Sequence, residues 1–170
     1  MEDRVDFLKK VALFEGLSEE QLQKIAHVLE EKKISSGEAI MTEGQEGCSV
    51  YLLRAGEVEV VKTLTLKTRK GDFEEGEKSI VKLQADTVNF FGEMTLLSRA
   101  PRSATVRSVS NVDLYEIRTD AFDQLCREDA DLGYKVMRAL GARLSSVVDK
   151  NNRDIMKLTT ALSLSLNKRK

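Results

Sequence analysis

The stretch Phe91-Gly92-Glu93-Met94-Thr95-Leu96-Leu97-Ser98-Arg99-Ala100-Pro101-Arg102-Ser103-Ala104-Thr105-Val106 decides how this chain is read. Its first half opens with Gly92 and Glu93 and continues as a short apolar run, enough for about one and a half turns of helix. Glycine permits backbone conformations and close approaches that side chains block. The first amides of a helix have no internal partners and attract an anion. The second half begins at Pro101, the only proline in the chain, and passes through Arg102 into a small, β-prone run from Ser103 to Val106. An arginine fork donates two charge-assisted bonds to one phosphate. Residue chemistry alone therefore predicts a phosphate held between the start of the short helix and Arg102. The competing reading is a surface helix and turn followed by an ordinary strand.

Upstream, Phe7, Leu8 and Val11 are spaced for one face of a short helix. Ser18 then precedes Glu19, Glu20 and Gln21 in a capping-box pattern. Leu22, Ile25, Ala26 and Leu29 follow at the spacing of an amphipathic helix. His27, the only histidine, falls off that stripe and reads as a surface residue. After Lys33 the period changes. Gly37, Gly44, Gly47 and Gly56 punctuate the short apolar runs Ala39 to Met41, Val50 to Leu53 and Val58 to Val61, which suggests a β-sandwich or barrel. Lys62 to Lys78 is charged, carries Gly71 and Gly76, and reads as a long, solvated hairpin tip with Ser79 to Leu83 as the returning strand. A partner-docking loop is the less favoured reading of that tip. Asp86 to Phe90 leads into the opening stretch, and two further strands follow it, Thr105 to Val109 and Val112 to Ile117.

The remainder has helical period. Thr119 or Asp120 is placed to cap a helix over Ala121 to Arg127. A longer amphipathic helix starts near Asp131, with Leu132, Val136, Leu140, Leu144 and Val148 on one face. Two readings of its far end stand side by side. Leu144, Val148, Asn151, Ile155, Leu158 and Leu162 alternate in steps of four and three, the seam of a short coiled coil. Alternatively, Asn151-Asn152 splits the helix into two pieces. Lys168-Arg169-Lys170 reads as a solvated end.

Composition narrows the function classes. The 170 residues suit one domain with a real core. A formal net charge of −1 argues against whole-protein attraction to nucleic acid or membrane. No apolar run reaches membrane-spanning length, and Met1-Glu2-Asp3-Arg4 opens no signal sequence. Cys48 and Cys126 lack metal spacing and read as free thiols in a reducing, cytoplasmic setting, with a single disulfide as the other option. One histidine leaves no set for a metal site or for nucleophilic catalysis, and no P-loop or dinucleotide fingerprint is present, so the expectation is a protein that is not an enzyme and holds no metal.

The opening stretch resembles the phosphate-binding cassette of cyclic nucleotide-binding domains, F-G-E-[LIM]-[AT]-L-x-x-x-x-P-R-[AST]-A-[ST]-V, and meets each fixed position. Ser36-Gly37-Glu38-Ala39-Ile40, Glu43-Gly44, Tyr51-Leu52-Leu53 and Gly56-Glu57-Val58 are similar to the first half of that family's β-roll. One departure is Ser36, where a proline is common. The resemblance implies a mainly β fold with α: an eight-stranded β-roll of jelly-roll type, flanked by N-terminal and C-terminal helices. Residues 1–33 would carry the first helices, 34–118 the roll with its cassette at 91–106, and 119–170 the C-terminal lid or dimerisation helices, all forming one domain.

Carried over by position, the resemblance implies that Arg102 pairs the ligand phosphate and Glu93 accepts the ribose 2′-hydroxyl. Backbone groups of Gly92 and Thr95 would complete the cradle. Thr95 stands where alanine is commoner. Ser103 sits beside the base and discriminates weakly between adenine and guanine. Ungapped counting from Arg102 brings Val147 and Val148 to the base, where valines cover a purine ring but cannot hydrogen-bond it. The implied ligand is cyclic AMP, favoured over cyclic GMP, and the implied role a switch whose C-terminal helices move on binding and signal to an effector. A homodimer through the last helix is a further implied partner. The rival readings are the sensor part of a catabolite-activator-type transcription regulator, of a kinase or of a channel, or a scaffold that keeps the fold without a ligand. No helix-turn-helix signature follows Val148.

Overall fold

Strands fill the middle of the chain and helices its two ends. The computed structural model describes residues 1–67, 73–86, 90–98 and 100–167, with the backbone alone at 64–67, 73–75 and 167. Helix α1 (Glu2–Leu8) leads through a 3-10 turn (Ala12–Phe14) to α2 (Glu19–His27). The capping box forms as its sequence predicts. The Gln21 amide donates to the Ser18 hydroxyl at 3.2 Å, and the Ser18 amide donates to the Gln21 side chain at 3.1 Å. His27 is exposed.

Eight strands follow among the described residues: β1 (Glu30–Ile34), β2 (Ala39–Met41), β3 (Ser49–Ala55), β4 (Glu57–Lys67), β5 (Phe73–Gln84), β6 (Phe90–Phe91), β7 (Thr105–Ser108) and β8 (Val112–Arg118). They form two four-stranded antiparallel sheets, ordered β1-β8-β3-β6 and β2-β7-β4-β5. The period of two sorts the side chains. In β8, Val112 and Leu114 join Leu53, Val58, Phe91 and Val106 in the interior of the roll. Tyr115 and Ile117 take the opposite face, where Val50, Leu52 and Phe90 pack against the helices.

Two strands run further than their patterns indicate. β1 begins at Glu30, ahead of the change of period after Lys33, because this edge strand is charged and exposed and shows no alternation. Lys32 pairs across it with Glu116 at 3.3 Å, the kind of charged edge that resists unwanted strand pairing. β5 returns from Phe73 rather than Ser79, in register with β4 from Lys67↔Phe73 to Glu57↔Gln84. Residues 76–82 are exposed, so apolar patterning is not needed there. The loop expected between Lys62 and Lys78 is therefore largely strand, while its tip at 68–72, with Gly71, lies outside the described residues. So do 87–89, Arg99 and Lys168-Arg169-Lys170.

Helix α3 spans Thr119–Glu128 and α4 spans Ala130–Asn167. Neither candidate caps α3. The Thr119 hydroxyl donates to the Cys48 carbonyl at 3.1 Å, and the Asp120 carboxylate accepts the adjacent Ala121 amide at 2.9 Å and the Arg118 guanidinium at 3.2 and 3.0 Å. Helix α4 is unbroken for 38 residues, which rules out a split at Asn151-Asn152. An exposed asparagine costs a helix only a few tenths of a kcal/mol, roughly. Leu132, Val136 and Leu140 of α4 are fully buried in the core that the helix shares with α3, the 3-10 turn and the outer face of the β3 sheet. Beyond Leu144 the helix is exposed. Among the described residues no helix is long and apolar enough to cross a membrane, and Cys48 and Cys126 are free.

Candidate ligand-binding site

The strand β6 delivers the chain to Gly92, which turns it with φ at +77° into a single 3-10 turn (Glu93–Leu96). That backbone conformation favours glycine. A side chain at Gly92 would also bring its Cβ to 2.9 Å from an Arg102 guanidinium nitrogen. The chain re-enters the roll at Arg102, whose backbone is fixed by the loop between β2 and β3. The Arg102 amide donates to the Gln45 carbonyl at 2.8 Å, and its carbonyl accepts the Gly44 amide at 2.9 Å.

The Arg102 side chain is equally constrained. One guanidinium nitrogen donates to the Ser49 carbonyl at 2.8 Å and another to the Gly92 carbonyl at 3.3 Å. Its guanidinium carbon is 5.6 Å from the centre of the Tyr51 ring. From the other side Gly47 closes on it so tightly that a Cβ there would lie 2.5 Å from Nε. Thr95 shares the same two carbonyls, its hydroxyl standing 2.9 Å from that of Gly92 and 3.4 Å from that of Ser49. Burial pushes the Tyr51 phenol above its ordinary pKa, with Glu116 adding to the effect and Arg102 opposing it.

Arg102 is only 7% exposed, yet among the described residues no carboxylate pairs with it. A buried cation without a counter-ion is costly unless an anion meets it. It borders a cavity of about 290 Å³ whose wall includes Gly92, Glu93, Thr95 and Ser103 of the cassette, with Val60 of β4 and Leu83 of β5. Five of the six residues expected at the site thus converge on one concavity: Gly92, Glu93, Thr95, Arg102 and Ser103. Val147 does not line it and stands 44% exposed on α4. The α4 residue in the wall is Arg143, one helical turn earlier. Counting forward from Arg102 did not single it out, because the crossing of α4 over the roll sets which turn faces the cavity. Gly47 was also missed as a site residue, since its contact with Arg102 joins segments far apart in the chain.

Residues 31–129 match the model of the cyclic nucleotide-binding domain. This chain belongs to that family. The domain is 37% identical over 112 residues to a cAMP-dependent protein kinase regulatory subunit of Mycosarcoma maydis, an alignment covering 66% of this chain and 19% of the relative. The chain thus spans about a fifth of the length of that curated relative. Among solved structures, the regulatory domain of Toxoplasma gondii PKA with cAMP matches at 31% identity and TM-score 0.61, over 73% of this chain and 43% of that one. Thermus thermophilus catabolite activator protein shares the fold at TM-score 0.69 and 24% identity, over 87% and 63% of the two chains. The eight-stranded roll expected of the family is the fold observed.

Proposed function

We propose that this domain is a cyclic nucleotide sensor, that its ligand is cyclic AMP in preference to cyclic GMP, and that it acts by binding and signalling rather than by catalysis. The observation that carries the reading is Arg102: a buried guanidinium, moulded by Gly47, Tyr51 and two carbonyls, bordering a nucleotide-sized concavity and paired with no carboxylate among the described residues. A cyclic phosphodiester carries one permanent negative charge and suits that position. Glu93, on the same wall, accepts the ribose 2′-hydroxyl in this reading, while the backbone of Gly92 and Thr95 lies against the phosphate. Ser103 borders the base in this reading, and the apolar side chains of Val60 and Leu83 in the cavity wall cover it. The preference for cyclic AMP is supported by the names of relatives, which are cAMP-dependent kinase regulatory subunits.

Ligand binding is transmitted in this proposal through α4, which contributes to the cavity wall and then leaves the body of the domain. A ligand shifts such a helix only by binding one of its positions better than the other. The effector proposed by likeness to the kinase regulatory subunits is a kinase catalytic chain. A second copy paired through α4 is the other proposed partner, supported by the exposure of Val148, Ile155, Leu158 and Leu162 along one seam.

Titration calorimetry with cyclic AMP and cyclic GMP tests the reading. Micromolar or tighter binding of cyclic AMP, with cyclic GMP weaker, is the expected result. Tighter binding of cyclic GMP would reverse the ligand assignment, and heat from neither would leave a scaffold of the same fold.

A further inference from the structure

Three donors converge on one acceptor in the cassette. The Gly92 carbonyl receives the Thr95 hydroxyl at 2.9 Å, the Thr95 amide at 3.3 Å and an Arg102 guanidinium nitrogen at 3.3 Å. A carbonyl oxygen has two lone pairs, so one of the three donors is in surplus. The hydroxyl has a single hydrogen to give. Its other neighbour, the Ser49 carbonyl, is 3.4 Å away and already takes a second Arg102 nitrogen at 2.8 Å. The hydroxyl hydrogen therefore goes to Gly92, in the shortest of the three bonds there. The amide and the guanidinium nitrogen are left with the long ones, where an N–H···O bond is already weakening. Thr95 is itself only 9% exposed and lies in the cavity wall.

We propose that Thr95 is a positioning residue for the phosphate: its side chain satisfies the Gly92 carbonyl, which releases its own amide and one arm of Arg102 for an anion. The inference deepens the cyclic nucleotide reading given above and rests on it. A phosphodiester oxygen is a charged acceptor and draws N–H donors more strongly than a neutral carbonyl does. What makes such a transfer costly is the acceptor left behind, because an unpaired and partly buried carbonyl carries a desolvation penalty. Here the Gly92 carbonyl keeps the hydroxyl when the other two donors turn to the ligand. The shorter bond from Arg102 to the Ser49 carbonyl stays in place and holds the guanidinium while its other arm moves.

Thr95 stands where alanine is commoner in the family, and the hydroxyl is what the exchange adds. With alanine at this position, two donors serve two lone pairs and none is in surplus. Ligand capture then has to break bonds that nothing replaces.

The test compares wild type with Thr95→Ser, Thr95→Val and Thr95→Ala, each shown by thermal melting to be folded, in calorimetric titrations with whichever cyclic nucleotide the wild type binds. Thr95→Ser keeps the hydroxyl and should bind within about twofold of wild type. Thr95→Val, close to threonine in shape, and Thr95→Ala should each lose about fivefold in affinity, the equivalent of one hydrogen bond. Amide exchange with solvent deuterium, followed by NMR on the nucleotide-free protein, separates positioning from packing. Without the competing hydroxyl, the residue-95 amide of Thr95→Val should hold the Gly92 carbonyl more firmly. It should then exchange more slowly than in wild type, after correction for the side chain's effect on the intrinsic rate. Loosened packing of the turn would speed that exchange instead. Unchanged or tighter binding by Thr95→Val and Thr95→Ala, a loss in Thr95→Ser as large as theirs, or residue-95 exchange in Thr95→Val no slower than in wild type would each overturn the positioning role and leave the sensor reading intact. A wild type that binds neither cyclic nucleotide would overturn the sensor reading itself, and the inference with it.

Discussion

Arg102 shows how a single side chain is committed to a ligand by its surroundings. Its partners are carbonyl oxygens and a ring face, which orient the cation without neutralising it. Gly47 is part of that arrangement. Gly47→Ala would force a Cβ against Nε and Cζ of Arg102 and against Cγ2 of Thr95, all within 2.7 Å. We expect it to weaken nucleotide binding by about tenfold or more, the loss of one hydrogen bond to a charged group. Calorimetry on the folded variant checks this. At this scale the sequence was legible where chemistry is local: Gly92, Glu93, Thr95, Arg102 and Ser103 lie within twelve positions and meet in one wall. It was not legible at Arg143 or Gly47, whose relevance depends on segments brought together only by folding.

The elements on either side of the roll meet at Asp129, the single residue between α3 and α4. Its carboxylate accepts the Leu132 amide at 3.0 Å, which caps α4, and the Lys24 ammonium of α2 at 2.8 Å. Gln21 of α2 reaches the same junction, 2.9 Å from Asp131. The hydrogen bond from Lys24, followed by the one from the Leu132 amide, lowers the Asp129 pKa from 3.8 to about 2. A carboxyl whose folded pKa is depressed stabilises the fold fully above its unfolded pKa and stops doing so as pH falls through the folded one. Asp129→Asn should therefore lower the melting temperature at pH 7. Its deficit against wild type should shrink across the window from about pH 4 to about pH 2, read by thermal denaturation at both ends.

Helix α4 supplies a second prediction at this scale. Its exposed seam pairs with a second copy in the proposed dimer. Sedimentation equilibrium should then give twice the chain mass, and Leu158→Asp should return it to one without lowering the melting temperature, since Leu158 is 71% exposed. A single chain mass for wild type at high concentration would remove the dimer. Elements were legible wherever one face is buried, as in α2 and β8. The charged β1 and the exposed length of β5 were not, because water on their outer faces asks for no apolar period. The continuity of α4 was undecided for a related reason: Asn151-Asn152 weakens a helix by too little to end it.

For the molecule as a whole, two sheets enclose one small core while the outer face of the β3 sheet and the helices build another. Phe90 and Phe91 are adjacent in β6 and point to opposite cores, with Gly92 next in line. The cassette therefore leaves the sheet at a point where both cores are anchored, and α4 crosses to the same point through Arg143. That placement makes ligand capture and helix position parts of one equilibrium in the proposed switch.

The claim on which the rest depends is that the buried charge of Arg102 exists for a nucleotide phosphate. The most direct measurement is the affinity of wild type and Arg102→Ala for cyclic AMP, by calorimetry on samples shown by their thermal melts to be folded and freed of co-purified nucleotide. A hydrogen bond to a charged group contributes about 1.5–3 kcal/mol, so the account predicts a loss of roughly ten- to a hundredfold. A folded Arg102→Ala protein that binds cyclic AMP as tightly as wild type would contradict it.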